Sequence, residues 1–138
     1  MIDDTRLIKV LHVDDEEDQL LFTKYFLEQL DKGLLIDSVS DPEQVFRLQL
    51  NNYDIIISDY LMVNITGIEL FNRVRENSDI PFILYTGKSR DEIDVTKVGI
   101  EGYLRKGSQP GHYKELVALI RSIIGKRKGR VLIKNNLI

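Results

Sequence analysis

The chain of 138 residues has no cysteine, no tryptophan and only three prolines. Without cysteine it can form no disulfide, and it has no thiolate for catalysis, for an iron–sulfur cluster or for a zinc site. No stretch approaches the roughly 20 apolar residues that a membrane span requires, and no basic segment followed by an apolar run opens the chain. With 43% apolar and 30% charged residues, these absences predict one globular domain in the cytoplasm, without membrane contact.

Acidic residues outnumber basic ones in the body of the chain but not at its C-terminal end. The formal charge is −3, yet five basic residues follow Gly125 with no acid among them: Lys126, Arg127, Lys128, Arg130 and Lys134. Up to Gly125 the chain has 14 basic and 22 acidic residues, a charge of −8 that repels nucleic acid. We therefore expect no direct nucleic-acid contact, and we predict a domain over residues 1–125 with a basic tail or linker start over residues 126–138.

Five apolar segments have the length of β-strands. They read LIKVLHV, LLIDSV, DIIIS, PFILY and GYLRK, and begin at Leu7, Leu34, Asp54, Pro81 and Gly102. The first, third and fourth are nearly unbroken in Val, Ile and Leu, which is typical of strands covered on both faces of a parallel sheet.

Helical patterns lie between and after these strands. The first keeps a spacing of four residues and is followed by a possible stop at Gly33; it comprises Leu21, Phe22, Tyr25, Phe26 and Leu30. The second opens on Asp41 and Pro42, an N-cap and a favoured first helical residue, before Val45, Phe46, Leu48 and Leu50. The third begins at Gly67, the fourth at a capping box of Ser89 and Glu92 before Ile93, Val95 and Val98, and the fifth runs from Tyr113 to Gly125. Strands alternating with helices predict one doubly wound α/β domain, whose ligands bind at the carboxyl ends of the strands.

Chemically active side chains follow four of the predicted strands. Asp14 and Asp15 follow the first, Asp59 the third, Thr86 the fourth and Lys106 the fifth. Each has a plainer interpretation when taken singly: an acidic helix start, a turn residue or a solvated lysine. Together they predict an oxygen-only cluster that needs a cation, and Mg²⁺ suits such ligands. Lys106 and Thr86 would complete a site for phosphoryl chemistry.

At this point the sequence resembles the receiver domains of two-component response regulators. The segments that carry the resemblance are VLHVDDEE, DIIISDYLMVNITGIEL, IPFILYTGK and GYLRKG, and they cover Lys9 to Ile124. The resemblance implies a flavodoxin-like (βα)5 sandwich with strand order 2-1-3-4-5. A narrower resemblance, carried by PFILYTGK and the glycine after Lys106, is to receiver domains attached to archaeal sensor kinases.

The resemblance also implies roles for individual residues. Asp59 would be phosphorylated, and Lys106 and Thr86 would contact the phosphoryl group. Asp15, Asp59 and the backbone carbonyl of Leu61 would bind Mg²⁺ directly, and Asp14 would bind it directly or through water. Thr86 and Tyr103 would form a switch in which Thr86 moves inward and Tyr103 turns from exposed to buried.

Two departures from the family pattern accompany these residues. Gly107 replaces the cis proline that usually follows the lysine, and Met62–Val63 replaces the usual Met-Pro after the phosphorylated strand. A cis bond without proline costs about 2.5 to 4 kcal/mol, so a trans bond or glycine's freedom is expected at this loop. Neither departure removes a chemical group from the site.

The implied protein is a phosphoacceptor that labels and dephosphorylates itself, rather than a turnover enzyme. A sensor histidine kinase, a phosphotransfer protein or a small acyl phosphate would be its donor, and an output domain or protein its target. Dimerisation through the predicted fourth and fifth helices is a further possibility.

Two rival functions stay open. One is a pseudo-receiver that binds partners without phosphorylation. The other is a haloacid-dehalogenase-like phosphatase with Asp14 as nucleophile and Glu16 as acid, although the late acidic pair and the capping insertion of that family are absent from the sequence. The two histidines are interpreted as structural: His12 as a packed core residue and His112 as a surface residue near a helix start.

Overall fold

Five parallel strands form one sheet in the order β2-β1-β3-β4-β5. The computed structural model of this chain describes residues 6–90, 92–93 and 99–136, with side chains described up to Gly129. The strands are β1 Ile8–Val13, β2 Leu34–Val39, β3 Ile55–Ser58, β4 Phe82–Thr86 and β5 Gly102–Arg105. Each lies within a residue or two of the apolar segment that predicted it, and the flavodoxin-like strand order is confirmed.

Within the described residues, three α-helices and two short 3-10 helices lie between and after the strands. The α-helices are α1 Glu17–Leu30, α2 Gly67–Arg75 and α3 His112–Asn136, and the 3-10 helices are Pro42–Arg47 and Leu50–Asn52. Among the described residues, no helix combines the length and the apolar character needed to cross a membrane.

The strand alternation divides the core into two layers. Ile8 and Val10 of β1 face α1 and α3, where they join Leu27 and Leu116. The alternate residues of the same strand face α2, in a second layer with these members among others: Leu11, Val13, Leu70, Phe71 and Val74. Successive side chains of a strand point to opposite faces, so unbroken apolar strands require cover on both sides.

The second predicted helix is wrong in type. Asp41 caps it as expected, because its Oδ1 accepts a hydrogen bond of 3.0 Å from the Glu43 N–H. Only Pro42 and Val45 of the segment Pro42–Arg47 are buried, and a spacing of three places both on one face of a 3-10 helix. Phe46 remains 37% exposed, so the apolar face that an α-helix would need does not reach the core.

The first helix forms as predicted but buries a different face. Leu20, Thr23 and Leu27 are the buried residues of α1. The apolar residues that predicted the helix are largely exposed, notably Leu21 at 64%, Phe22 at 51% and Tyr25 at 58%. A stripe of apolar residues therefore identified the helix without identifying its inward side.

The sequence predicted that the last helix ends at Gly125. In the structure this helix continues to Asn136. Glycine lowers helix stability by about 1 kcal/mol without terminating a helix unless the chain turns there. A domain boundary after residue 125 stays a prediction. Of the predicted fourth helix, Val95 and Val98 lie outside the described residues, whereas Ile93 is buried in the second layer.

Gly67, the first residue of α2, packs closely against the loop after β3 and against β4, and substitution there tests this packing. An added Cβ would lie 2.3 Å from the Asp59 carbonyl oxygen and 2.7 Å from Leu84 Cδ1. We expect Gly67→Ala to lower the free energy of unfolding by about 2 to 3 kcal/mol, because the loop after β3 must shift. The measurement is urea unfolding followed by circular dichroism.

The matched control is Gly125→Ala, since nothing lies within 4 Å of a Cβ built at that helical position. There the free energy of unfolding should rise by about 0.5 to 1 kcal/mol. Equal effects of the two substitutions would contradict the packing described for Gly67.

Candidate functional site

The residues predicted to act together follow adjacent strands at one edge of the sheet. Asp14 and Asp15 follow β1, Asp59 follows β3, Thr86 ends β4 and Lys106 follows β5. Backbone hydrogen bonds extend the sheet to these positions: the Asp59 N–H donates to Val13 O over 3.1 Å and the Lys106 N–H to Thr86 O over 2.8 Å. The side chains therefore start from a rigid edge.

The Lys106 ammonium group joins two of the carboxylates. Its Nζ lies 2.9 Å from Asp14 Oδ2 and 3.0 Å from Asp59 Oδ2. The Asp14 side chain is fully buried, and those of Asp59 and Lys106 are only 13% and 16% exposed. Asp14 and Asp59 are 45 positions apart in the sequence, and Asp14 and Lys106 are 92 positions apart. The structure thus brings together residues that are distant along the chain.

Backbone N–H groups hold the remaining carboxylate oxygens. Asp14 Oδ1 accepts from the Glu16 N–H over 2.9 Å, and Asp59 Oδ1 accepts from the Tyr60 N–H over 2.6 Å. Asp15 Oδ2 accepts from the Val63 N–H over 2.8 Å, which ties the loop after β3 to the end of β1. Sequence reasoning missed these donors, since a backbone N–H leaves no mark on residue type.

The electrostatics of the site follow from burial and from the shared ammonium group. Burial raises the pKa of the Asp14 carboxyl despite the opposing hydrogen bonds from Glu16 and Lys106. Burial acts to lower the pKa of Lys106, but the hydrogen bonds and charges of Asp14 and Asp59 outweigh it and raise the pKa overall. His12, predicted as a core residue, is indeed buried; burial and the Lys106 charge lower its pKa to about 3, so it is neutral.

Thr86 and Tyr103 contact the same residue, Lys88. The Lys88 N–H donates to Thr86 Oγ1 over 3.3 Å, and the Tyr103 hydroxyl donates to the Lys88 carbonyl oxygen. Thr86 is buried, whereas Tyr103 is half-buried against the second core layer with the Arg90 guanidinium 5.0 Å from its ring centre. The two residues are therefore linked through one short segment of backbone.

The donor atoms at this edge suit a hard cation. Within the described ranges, no three His, Cys, Asp or Glu side chains are grouped closely enough to hold a metal ion by themselves. Mg²⁺ commonly uses only one or two carboxylates and completes its shell with water and phosphate oxygens. Asp14 and Asp59 already share one cationic partner, and Asp15 is adjacent. Leu61 lies in the loop after β3, where a β-bridge to Thr66 fixes its backbone.

The segment after Lys106 has the trans peptide bond expected at Gly107, but His112 is more buried than expected. No peptide bond among the described residues is cis, so the Lys106–Gly107 bond is trans. His112 is half-buried rather than a surface residue, and its Nε2 lies 2.5 Å from the Tyr85 hydroxyl. Sequence reasoning missed this pair; the unusual glycine after Lys106 was the available signal.

Comparisons of sequence show which family this chain is similar to. A model of the family described as the response regulator receiver domain matches residues 10–120. The response regulator ArlR of Staphylococcus saprophyticus is 30% identical over 129 residues, 92% of this chain and 57% of that protein. The transcriptional regulatory protein YvrH of Bacillus subtilis is 31% identical over 115 residues, 82% of this chain and 47% of that protein.

The chain thus spans about half the length of the curated relatives that it matches. These relatives are bacterial and give no support to the expected resemblance to receivers of archaeal kinases.

Comparisons of structure give the same assignment. A receiver domain protein from Clostridium thermocellum matches with a TM-score of 0.77 and 26% identity, over 88% of this chain and 98% of that one. The response regulator TrrA of Thermotoga maritima matches with a TM-score of 0.69 and 28% identity, over 83% of this chain and 99% of that one. The TrrA structure is a complex with Mg²⁺ and BeF.

The buried Asp14 predicts a stability gain on neutralisation. In metal-free protein at neutral pH, we expect Asp14→Asn to raise the melting temperature by a few degrees. The raised pKa means that the ionised carboxylate is less favourable in the folded chain than in the unfolded chain. Asparagine keeps an oxygen for the Glu16 N–H. The gain should shrink as the pH falls, because wild-type Asp14 then takes up a proton and recovers the lost stability.

Thermal unfolding in EDTA, from acidic to neutral pH, measures this difference. The control is Asp18→Asn, an exposed acid in the first turn of α1 that should bring no gain. A loss of stability for Asp14→Asn at neutral pH would contradict the electrostatics described here.

Proposed function

Since this chain belongs to the family of response regulator receiver domains, we propose that Asp59 is the residue that accepts the phosphoryl group in two-component signalling. The observation that carries the proposal is the contact of Lys106 Nζ with both Asp59 Oδ2 and Asp14 Oδ2. One half-buried ammonium group between two carboxylates that follow different strands is a costly arrangement that a structural role alone does not require. It is suited to stabilising added negative charge.

In the proposed reaction a carboxylate oxygen of Asp59 attacks the phosphorus of a phosphohistidine or of a small acyl phosphate. The new O–P bond forms as the P–N or P–O bond to the donor breaks, and the donor leaves as imidazole or carboxylate. Tyr60 holds Asp59 Oδ1 through its N–H, which orients the carboxylate before the donor arrives. Lys106 and the Thr86 hydroxyl supply a positive charge and a hydrogen-bond donor toward the transferred group.

We assign the Mg²⁺ ligands of this reaction to Asp14, Asp15, Asp59 and the carbonyl of Leu61. Bound Mg²⁺ would neutralise charge on the carboxylates and on the transferred phosphoryl oxygens. Asp15 is suited to this role because its carboxylate is only half-buried and its Oδ2 accepts from the Val63 N–H. The complex of TrrA with Mg²⁺ and BeF supports the assignment by similarity.

The proposed output is a switch that passes from Thr86 to Tyr103. Aspartyl phosphate adds up to about two negative charges, which would draw the Thr86 hydroxyl toward it. Since Thr86 and Tyr103 both bond to the Lys88 backbone, a movement of Thr86 would disturb the Tyr103 contact as well. The surface near β4 and β5 would then shift between two populations.

The proposed partners are a sensor histidine kinase or phosphotransfer protein as donor, and an output domain or protein as target. They follow from the family and from the response regulators that the chain resembles. Dimerisation, a cytoplasmic location and attachment to a kinase of archaeal type stay predictions from the sequence.

The phosphatase alternative has less support at the residue that it requires. Asp14 is fully buried, and its two oxygens are engaged by the Glu16 N–H and by Lys106. A nucleophile must be accessible to its substrate. Asp59 is closer to the surface, with 13% of its side chain exposed.

Labelling by acetyl phosphate tests the phosphoacceptor proposal. With Mg²⁺ present, we expect intact mass to show one added phosphoryl group on the wild type and none on Asp59→Asn, because an amide cannot form the acyl phosphate. The control Asp18→Asn should label as the wild type does. Equal labelling of Asp59→Asn at the same site would defeat the proposal, and an unlabelled wild type would favour the pseudo-receiver.

Substitution at Asp15 tests the metal assignment. Asp15→Asn keeps an oxygen for the Val63 N–H but removes a charge, so Mg²⁺ should bind about tenfold or more weakly with little change in folding. The measurement is the labelling rate as a function of Mg²⁺ concentration, with Asp18→Asn again as the control. An unchanged Mg²⁺ dependence would place the metal elsewhere.

A further inference from the structure

Lys106 is the lysine that the proposed reaction needs, and a short segment connects it to α3. Lys106 is joined to β4 by its own backbone N–H, which donates to the Thr86 carbonyl oxygen over 2.8 Å. The chain then leaves the sheet at Gly107, a residue without a ring or a side chain to restrict it. Some other contact must limit this segment if the ammonium group is to stay between Asp14 and Asp59.

His112, at the start of α3, makes two hydrogen bonds that close the segment. Its Nδ1 lies 2.6 Å from the Gln109 carbonyl oxygen, and its Nε2 lies 2.5 Å from the Tyr85 hydroxyl. A carbonyl oxygen only accepts, so Nδ1 carries the proton and donates. In the neutral imidazole Nε2 is then the acceptor, and the Tyr85 hydroxyl donates to it. Burial raises the pKa of the Tyr85 phenol, so this donor keeps its proton.

Gly107 provides the space that His112 occupies. A Cβ at position 107 would lie 3.2 Å from His112 Cβ, which is closer than ordinary contact, and 3.5 Å from His112 Cγ. A larger residue here would press on the imidazole ring. The missing side chain at Gly107 and the inward position of His112 therefore belong to one arrangement.

Tyr85 connects this arrangement to the site itself. It is fully buried in β4, and its ring stacks on that of His112 at 5.9 Å with an angle of 22°. The same ring lies 5.3 Å from Lys106 Nζ, within the range of a cation–π contact. One rigid side chain thus touches both the ammonium group and the histidine that closes the following segment.

We propose that Tyr85 and His112 are positioning residues for Lys106, and that their hydrogen bond supplies the restraint on the segment after Lys106 that Gly107 does not. The inference rests on the proposed phosphoacceptor role of Asp59. Neither side chain has to touch the phosphoryl group. They act by keeping Nζ within reach of Asp59, where a displacement of about 1 Å can cost up to about a hundredfold in rate.

The experiment compares variants that separate the two hydrogen bonds. For each variant, three quantities are measured: the limiting rate of Asp59 labelling, the acetyl phosphate concentration at half-saturation and the melting temperature. We expect His112→Ala and Tyr85→Phe to lower the limiting rate about tenfold with little change in half-saturation. Phenylalanine keeps the ring beside Lys106, so Tyr85→Phe isolates the hydroxyl. Tyr53→Phe is the control, because it removes a hydroxyl bonded to Asp37 over 2.7 Å outside the site.

Conservative replacements distinguish positioning from a general loss of stability. Glutamine can place an acceptor near the position of Nε2, so His112→Gln should recover most of the rate. Asparagine reaches only the position of Nδ1, so His112→Asn should resemble His112→Ala. The effects of His112→Ala and Tyr85→Phe should not add, since either one breaks the same bond. Gly107→Ala should slow labelling in the wild type and have a smaller effect beside His112→Ala.

The outcomes separate this inference from the function on which it rests. A wild type that is never labelled at Asp59 defeats the proposed function. A wild type that labels normally, with His112→Ala and Tyr85→Phe equal to it in limiting rate, overturns the positioning role alone. So does a rate loss in His112→Gln as large as in His112→Ala, or a loss that follows melting temperature across all variants, including Tyr53→Phe.

Discussion

The Lys106 ammonium group between Asp14 and Asp59 is the interaction on which the site depends. A buried carboxylate is costly without a cation, and two carboxylates close together are costlier still. Lys106 offsets this cost at 2.9 and 3.0 Å. The raised pKa of Asp14 indicates that the offset is incomplete. The fold thus retains an electrostatic strain that favours the arrival of a further cation at this edge.

The sheet makes that arrangement possible, and its main features could be read from the sequence. The Val- and Ile-rich segments of β1, β3 and β4 are buried on both faces, and this burial is the property that makes such strands recognisable. Once parallel strands are placed side by side, their carboxyl ends coincide. Asp14, Asp59 and Lys106 could therefore be grouped before any coordinates were considered, although the distances between their atoms could not.

Elements whose form depends on packing were harder to predict. The signals at Asp41 and Pro42 correctly indicated a helix start, but the helix type was decided by how few following residues reach the core. In α1 the inward side includes Thr23, a polar residue, whereas Phe22 and Tyr25 point outward. A count of apolar residues identifies a helix, but its orientation is set by what the neighbouring strands leave uncovered.

The contact between Tyr85 and His112 could be predicted only in part from the sequence. Alternation along β4 assigns Ile83 and Tyr85 to the side of α1 and α3, opposite to Phe82 and Leu84. A histidine at the start of α3 is then near the end of β4, and the absence of a side chain at Gly107 leaves space for it. No one of these residues is informative alone. Because Gly107 supplies no restraint of its own, the hydrogen bond beside it is the contact by which we propose that Lys106 is positioned.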